Sequence, residues 1–158
     1  MALDDEIALF ARIPFFAGFE AEHLRLLAFG AEKRRLQAGE FVFREDDLAD
    51  AAYVVRYGEV LTIQPGSDSK MRQSERVDRQ YGPGSMLEPM NLISLSKRPC
   101  DAVCSADSEV LRISRALFVR MLSEYPNLAV MLRDRVGTQL KGFVGKLDGV
   151  LAQLDDGA

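Results

Sequence analysis

Two cysteines, one histidine and no excess of basic residues set the first limits on this sequence. Cys100 and Cys104 are too few to build the disulfide framework of a small secreted domain, so a reduced, cytoplasmic setting is expected. His23 has no set of partner residues around it in the sequence, which leaves no Ser–His–Asp arrangement and no metal cluster. A formal charge of -4 opposes nucleic-acid binding, which needs a basic face. No apolar run approaches the ~20 residues of a membrane span. The start, MALDDE, lacks the positive region and apolar run of a signal peptide. A Walker loop and paired catalytic carboxylates are also missing. Enzymatic, DNA-binding and membrane-spanning roles are therefore not expected.

What is there reads as one soluble domain. The 158 residues are 47% hydrophobic and 28% charged, ordinary for a globular chain long enough to bury a core. Leu3, Ile7, Phe10 and Ala11 fall on one face of a first helix that leaves Leu9 off it, and Ile13-Pro14 stops the helix. Phe15, Phe16 and Phe19 around Gly18 form an aromatic elbow predicted to pack inward. A second helix, about 20–28, presents Leu24, Leu27 and Ala28 on one side and places His23 on its exposed side.

From residue 31 the period becomes two. Segments 31–36, 40–44, 51–56, 59–63, 76–81, 102–104 and 109–113 read as short strands split by turn signals, with a polar hairpin loop at 64–75. About eight short strands with few helices between them predict an antiparallel barrel or jelly roll. Ser114 caps a helix that runs to about Glu124, and Tyr125-Pro126 breaks it. One long helix, about 127–154, follows the domain 1–126. Its Val136, Leu140, Phe143, Leu147, Val150 and Leu154 alternate four- and three-residue steps, a seam suited to a homodimer. At about 1.5 Å per residue such a helix overhangs a small barrel. Packing of the stripe on the chain's own barrel is the competing expectation.

The stretch from Gly82 to Cys104 concentrates the chemistry. It reads as a tight turn, a short strand, a one- to two-turn helix beginning at Pro89, a polar loop, and a strand entered through Arg98. Turn glycines beside a helix start, with an arginine returning opposite, are the parts of an anion pocket. On an extended strand Arg98, Cys100, Ala102 and Cys104 share a face. If that face lines the barrel, Arg98 needs an anionic partner, either a ligand phosphate or Glu88. If Arg98 instead sits in the loop mouth, it is solvated. Cys100 and Cys104 lie about 13 Å apart on a strand, which excludes a shared metal or a disulfide and leaves both as small buried hydrophobes.

Several motifs in order resemble a known family. Ile13-Pro14-Phe15-Phe16-Ala17-Gly18-Phe19, Leu36-Gln37-Ala38-Gly39-Glu40-Phe41-Val42-Phe43-Arg44-Glu45, Ala52-Tyr53-Val54-Val55 and Gly58-Glu59-Val60 resemble the cyclic nucleotide-binding domain. This is the effector domain of the catabolite activator and anaerobic regulator superfamily. The similarity covers about residues 5 to 135 and implies a mainly β fold, a double-stranded β-helix with N-terminal helices and a long C-terminal helix. It also implies a phosphate-binding cassette, typically Gly-Glu-Leu-Ala and, about nine residues on, Arg-Ser/Thr-Ala. Aligned without a gap, those positions hold Glu88, Pro89, Met90 and Asn91, then Arg98, Pro99 and Cys100. Pro89 has no side-chain acceptor and no N–H, and Pro99 removes a hydroxyl and another N–H. A one-residue slip would let Glu88 serve as the ribose acceptor.

Two functions remain open. One is a non-catalytic regulatory module, degenerate for cyclic AMP and cyclic GMP, acting through dimerisation and an unidentified protein partner. The other is a stand-alone sensor of a cyclic nucleotide or other phosphate-containing ligand, signalling through the C-terminal helix. Losing several charge-assisted contacts, at ~1.5–3 kcal/mol each, predicts little or no binding of either cyclic mononucleotide. No other cofactor and no metal is expected. Because the sequence ends at Asp155-Asp156-Gly157-Ala158, it leaves no room for a helix-turn-helix, and DNA binding is not expected.

Overall fold

The computed structural model describes residues 2–64 and 76–136. Two helices, α1 (Ala2–Ala11) and α2 (Ala21–Gly30), flank a 3-10 turn at Pro14–Phe16. Ten short strands follow among the described residues: β1 (Glu32–Leu36), β2 (Phe41–Phe43), β3 (Leu48–Ala49), β4 (Ala51–Tyr57), β5 (Val60–Ile63), β6 (Val77–Tyr81), β7 (Met86–Leu87), β8 (Ser96–Lys97), β9 (Ala102–Cys104) and β10 (Ser108–Ser114). A second 3-10 turn, Pro89–Leu92, lies between β7 and β8, and α3 (Arg115–Glu124) and α4 (Pro126–Val136) close the described chain. No helix among these residues is long and apolar enough to cross a membrane.

The strands form two four-stranded antiparallel sheets, ordered β1-β10-β4-β7 and β2-β9-β5-β6, and a two-stranded ribbon β3-β8. The sheets face each other as a jelly roll without closing into one ladder. The central strand β4 explains why the fold is layered. Ala51, Tyr53 and Val55 point into the space between the sheets, with Phe43, Val60, Ala102, Cys104 and Val110. Ala52 and Val54 point the other way, with Leu111 and Ile113, toward the helices. Both faces of β4 are therefore covered, so its first five residues are all buried and it reads as a continuous apolar run.

The helical layer rests on that second face. Phe10, Phe16, Leu27, Phe118 and Leu132 are all buried there, each worth about 1.5–3 kcal/mol relative to exposure. Ser114 accepts a hydrogen bond from the Leu117 N–H at 3.1 Å and starts α3 as predicted. Pro126 begins α4, where its missing N–H costs nothing. Leu128, Ala129 and Leu132 of α4 belong to the same core as α1 to α3. α4 thus packs on the domain at least as far as Leu132. Val136 is the last described residue of α4, and the rest of the predicted seam (Leu140, Phe143, Leu147, Val150 and Leu154) lies outside the described residues, as do residues 65–75 of the loop predicted at 64–75.

Two sequence expectations change. Leu9 is buried in the helical core, while Ala11 is exposed, so the inward face of α1 is rotated toward Glu6, Leu9 and Phe10. On that face Glu6 meets Arg56 Nη1 at 3.7 Å and Lys33 Nζ at 3.8 Å, while Leu9 and Phe10 join the helical core. His23 is only 8% exposed rather than on the open side of α2. Its Nδ1 accepts the Glu20 backbone N–H at 3.0 Å, completing a capping box, and its ring meets Tyr125 edge-on at 4.5 Å.

One tight turn requires glycine. Gly58, between β4 and β5, has φ 92, and a Cβ there would stand 2.1 Å from Ser108 Oγ and 2.6 Å from the Asp107 carbonyl oxygen. That close approach lets the Ser108 hydroxyl accept from the Glu59 N–H and ties the β4–β5 turn to β10.

Candidate functional site

The segment from Gly82 to Cys104 is laid across both sheets by backbone bonds. Gly84, at φ 85, donates to the Val55 carbonyl at 2.8 Å, and Val55 donates to Ser85 at 3.0 Å. β7 then pairs with β4 through Tyr53–Leu87 and Val54–Met86. Glu88 stands at φ 57, the left-handed region, and turns the chain into Pro89–Leu92. Leu92 and Ile93 anchor that turn in the helical core. The loop 94–97 is predicted to be irregular, yet Ser96–Lys97 pairs with Leu48–Ala49. The predicted strand through Arg98 begins later, at Ala102. Arg98 instead bonds the turn at Asp46–Asp47 on both sides, donating to the Asp47 carbonyl at 2.8 Å and accepting from the Asp46 N–H at 2.9 Å.

That pairing fixes the Arg98 side chain inward. It is 2% exposed, the largest side chain among the fully buried residues. Nη1 donates to Asn91 Oδ1 at 3.0 Å, and Nη2 donates to the Ala51 carbonyl at 2.9 Å. The guanidinium carbon lies 4.3 Å from the Phe43 ring centroid and 5.5 Å from that of Tyr53. A desolvated cation over an aromatic face gains about 2 kcal/mol. Burial pulls the Arg98 pKa down from its ordinary value, while Tyr53, Glu88 and Asp50 act through space to push it back up. Among the described residues Nε has no hydrogen-bond partner.

Two of the three sequence alternatives for Arg98 are therefore corrected, and a ligand phosphate as its partner stands as a proposal. It is neither solvated at a loop mouth nor ion-paired with Glu88. Among the described residues no carboxylate lies within ion-pairing distance of it, and its partners are neutral oxygens and ring faces. Asn91 is the hub of this arrangement. Its Oδ1 accepts from Arg98, while Nδ2 donates to the Ser94 carbonyl at 3.3 Å and to Ser96 Oγ at 3.0 Å. The buried carboxamide thus uses its oxygen and both of its N–H donors.

The other predicted residues separate. Met90 packs against the helical core, and Pro99 is exposed. Cys100 and Cys104 are free thiols buried between the sheets, and burial raises both pKa values, helped at Cys100 by the charge of Glu88. Pro89 borders a cleft of about 610 Å³, together with Ile13, Phe15, Arg79, Tyr81, Ser85 and Met86, and Arg98 does not line it. The sequence did not point to Phe43, Tyr53 or the Ala51 carbonyl. Period-two alternation puts Phe43 and Tyr53 on inward faces, a usable signal, whereas a backbone carbonyl leaves no trace in a sequence.

The family implies a cyclic nucleotide held by an arginine, a helix-start N–H and an acidic ribose acceptor. In this structure each terminal nitrogen of Arg98 gives one N–H to the protein, Pro89 has no N–H, and Glu88 is turned by a left-handed backbone.

A facing pair of short-stranded sheets, an N-terminal helical elbow, a crossover cassette with a buried arginine and a terminal helix define a cyclic nucleotide-binding type of jelly roll. A sequence profile described as the cyclic nucleotide-binding domain matches residues 33–125, and the chain belongs to that family. Among solved structures, a cyclic nucleotide-binding-like protein from Brucella abortus is 40% identical with a TM-score of 0.65, covering 75% of this chain and 98% of that one. The catabolite activator protein of Thermus thermophilus is 27% identical with a TM-score of 0.60, covering 78% of this chain and 58% of that one. Among curated relatives, a lysophospholipase nte1 from Aspergillus terreus is 25% identical over 116 residues, 73% of this chain but 7% of that protein. The chain spans so small a part of these curated relatives that the activity in their name does not transfer.

Proposed function

We propose that this chain is a non-catalytic regulatory module whose cyclic nucleotide site is degenerate for cyclic AMP and cyclic GMP. The observation that supports it is the state of Arg98. Each terminal nitrogen that would grip a phosphate already gives one N–H to Asn91 or Ala51, with aromatic rings across the guanidinium face. Displacing them requires breaking two charged hydrogen bonds of ~1.5–3 kcal/mol each. The module then acts in the cytoplasm by presenting a surface, through a homodimer formed along the seam from Val136 to Leu154 and contact with a partner protein.

A second reading, a sensor of another phosphate-containing ligand, is favoured by one feature. Arg98 Nε is a buried donor without an acceptor among the described residues. Calorimetry with cyclic AMP, cyclic GMP and cyclic dinucleotides separates the two. The first reading expects no binding of either mononucleotide, and micromolar binding of one would sink it. Sedimentation of wild type and of Leu140→Asp/Leu147→Asp tests the seam, which fails if wild type stays monomeric at high concentration.

A further inference from the structure

We infer that Asn91 is a specificity-determining residue: its carboxamide is a built-in acceptor that occupies Arg98 and keeps external anions out. The inference rests on the degenerate-site reading and goes further by naming the group responsible.

Geometry carries it. A guanidinium with five donors normally selects carboxylate or phosphate oxygens. Here a neutral oxygen stands at hydrogen-bond distance, delivered by a side chain whose other two donors are fixed by Ser94 and Ser96. Those bonds hold the carboxamide so that only Oδ1 faces Arg98. The lock is local, because every bond it uses falls within residues 91–98, and the backbone of Arg98 is pinned independently by Asp46 and Asp47. Removing the carboxamide therefore takes away the acceptor of Nη1 without releasing the backbone that carries it. Nη1 then offers both of its N–H groups to an oxyanion, beside the N–H of Nη2 that Ala51 leaves unused. The ligand class is a tetrahedral oxyanion, with inorganic phosphate as its smallest probe.

Asn91→Ala and Asn91→Ala/Arg98→Gln are compared with wild type by thermal unfolding, in phosphate and in chloride at matched ionic strength. Asn91→Ala is expected to gain about 3–5 °C in Tm at phosphate tenfold over its Kd. The double variant is expected to gain nothing, and a merely structural role for Asn91 predicts no such gain in the single variant either. If Asn91→Ala does not fold, Asn91→Ser replaces it, because a hydroxyl on a shorter side chain cannot span the same bond. A folded single variant that ignores phosphate overturns the inference and leaves the degenerate-site reading intact. A phosphate-specific rise in wild type also overturns it. Micromolar binding of cyclic AMP by wild type overturns the degenerate-site reading itself.

Discussion

Arg56 and Arg98 are both held against the same strand, and their surroundings are opposite. Arg56 reaches Glu109 at 3.3 Å and Glu6 at 3.7 Å, and Glu109 also takes Arg35 at 3.2 Å. Each buried carboxylate there has a cation, and the cluster fastens α1 to β1, β4 and β10. Arg98 is more deeply buried and has no carboxylate in reach, only Asn91, the Ala51 carbonyl and two rings. A cluster that exists to hold helix to sheet balances its charges. A lone buried cation on neutral acceptors, which use two of its five N–H groups, is the arrangement the degenerate-site proposal expects of an anion site filled from within.

The largest effect is expected on the Arg56 side. Glu109→Ala takes a buried carboxylate from Arg56 and from the exposed Arg35 and should cost about 3 kcal/mol in urea unfolding, the low end for a broken buried pair because Arg56 keeps Glu6 and Arg35 stays in solvent. Raising salt from about 0.1 M to about 1 M shortens the screening length from about 10 Å to about 3 Å and should shrink that penalty. A penalty unchanged by salt would show that Glu109 acts by packing alone.

Arg98→Ala should cost less, about 2 kcal/mol. It orphans Asn91 Oδ1 and the Ala51 carbonyl but also removes an unbalanced buried charge. Its cost should not respond to salt. A larger loss for Arg98→Ala than for Glu109→Ala would reverse the contrast between the two clusters.

The smallest effect concerns the thiols. Cys100 and Cys104 have pKa values raised by burial, so the folded protein keeps protons that the unfolded chain releases. Stability from this source is intact below the ordinary thiol range and falls as pH rises through and above it. Native protein should resist alkylation at pH 8 until denaturant is added. Rapid labelling of Cys100 in the native state would mean that the core beside Arg98 is open.

The fold was legible because its cues are local and ordered. The Ile13-Pro14-Phe15 elbow, the turn at Gly58 and the cap at Ser114 each specify a backbone shape that the structure adopts. The two-residue strands β3 and β8 were not legible, since ribbons that short carry no periodicity. Leu9 and His23 were placed outward by sequence neighbours, but both meet tertiary partners: Leu9 joins the helical core, and Tyr125 lies across the His23 ring. The site was legible only in outline. Arg98 stood out as the residue needing a partner, and Asn91 was placed in the cassette by alignment alone. That a carboxamide rather than a carboxylate satisfies the arginine depends on the loop 91–98 folding back on itself. Sequence spacing does not encode that closure.

The most direct test follows the Arg98 Nε–H resonance in a nitrogen-15 correlation spectrum of wild-type protein as cyclic AMP is added. Occupied terminal nitrogens predict a resonance that stays in place at millimolar cyclic AMP. A saturable shift at micromolar concentration, lost in Arg98→Gln along with the resonance and the binding heat, would contradict the account.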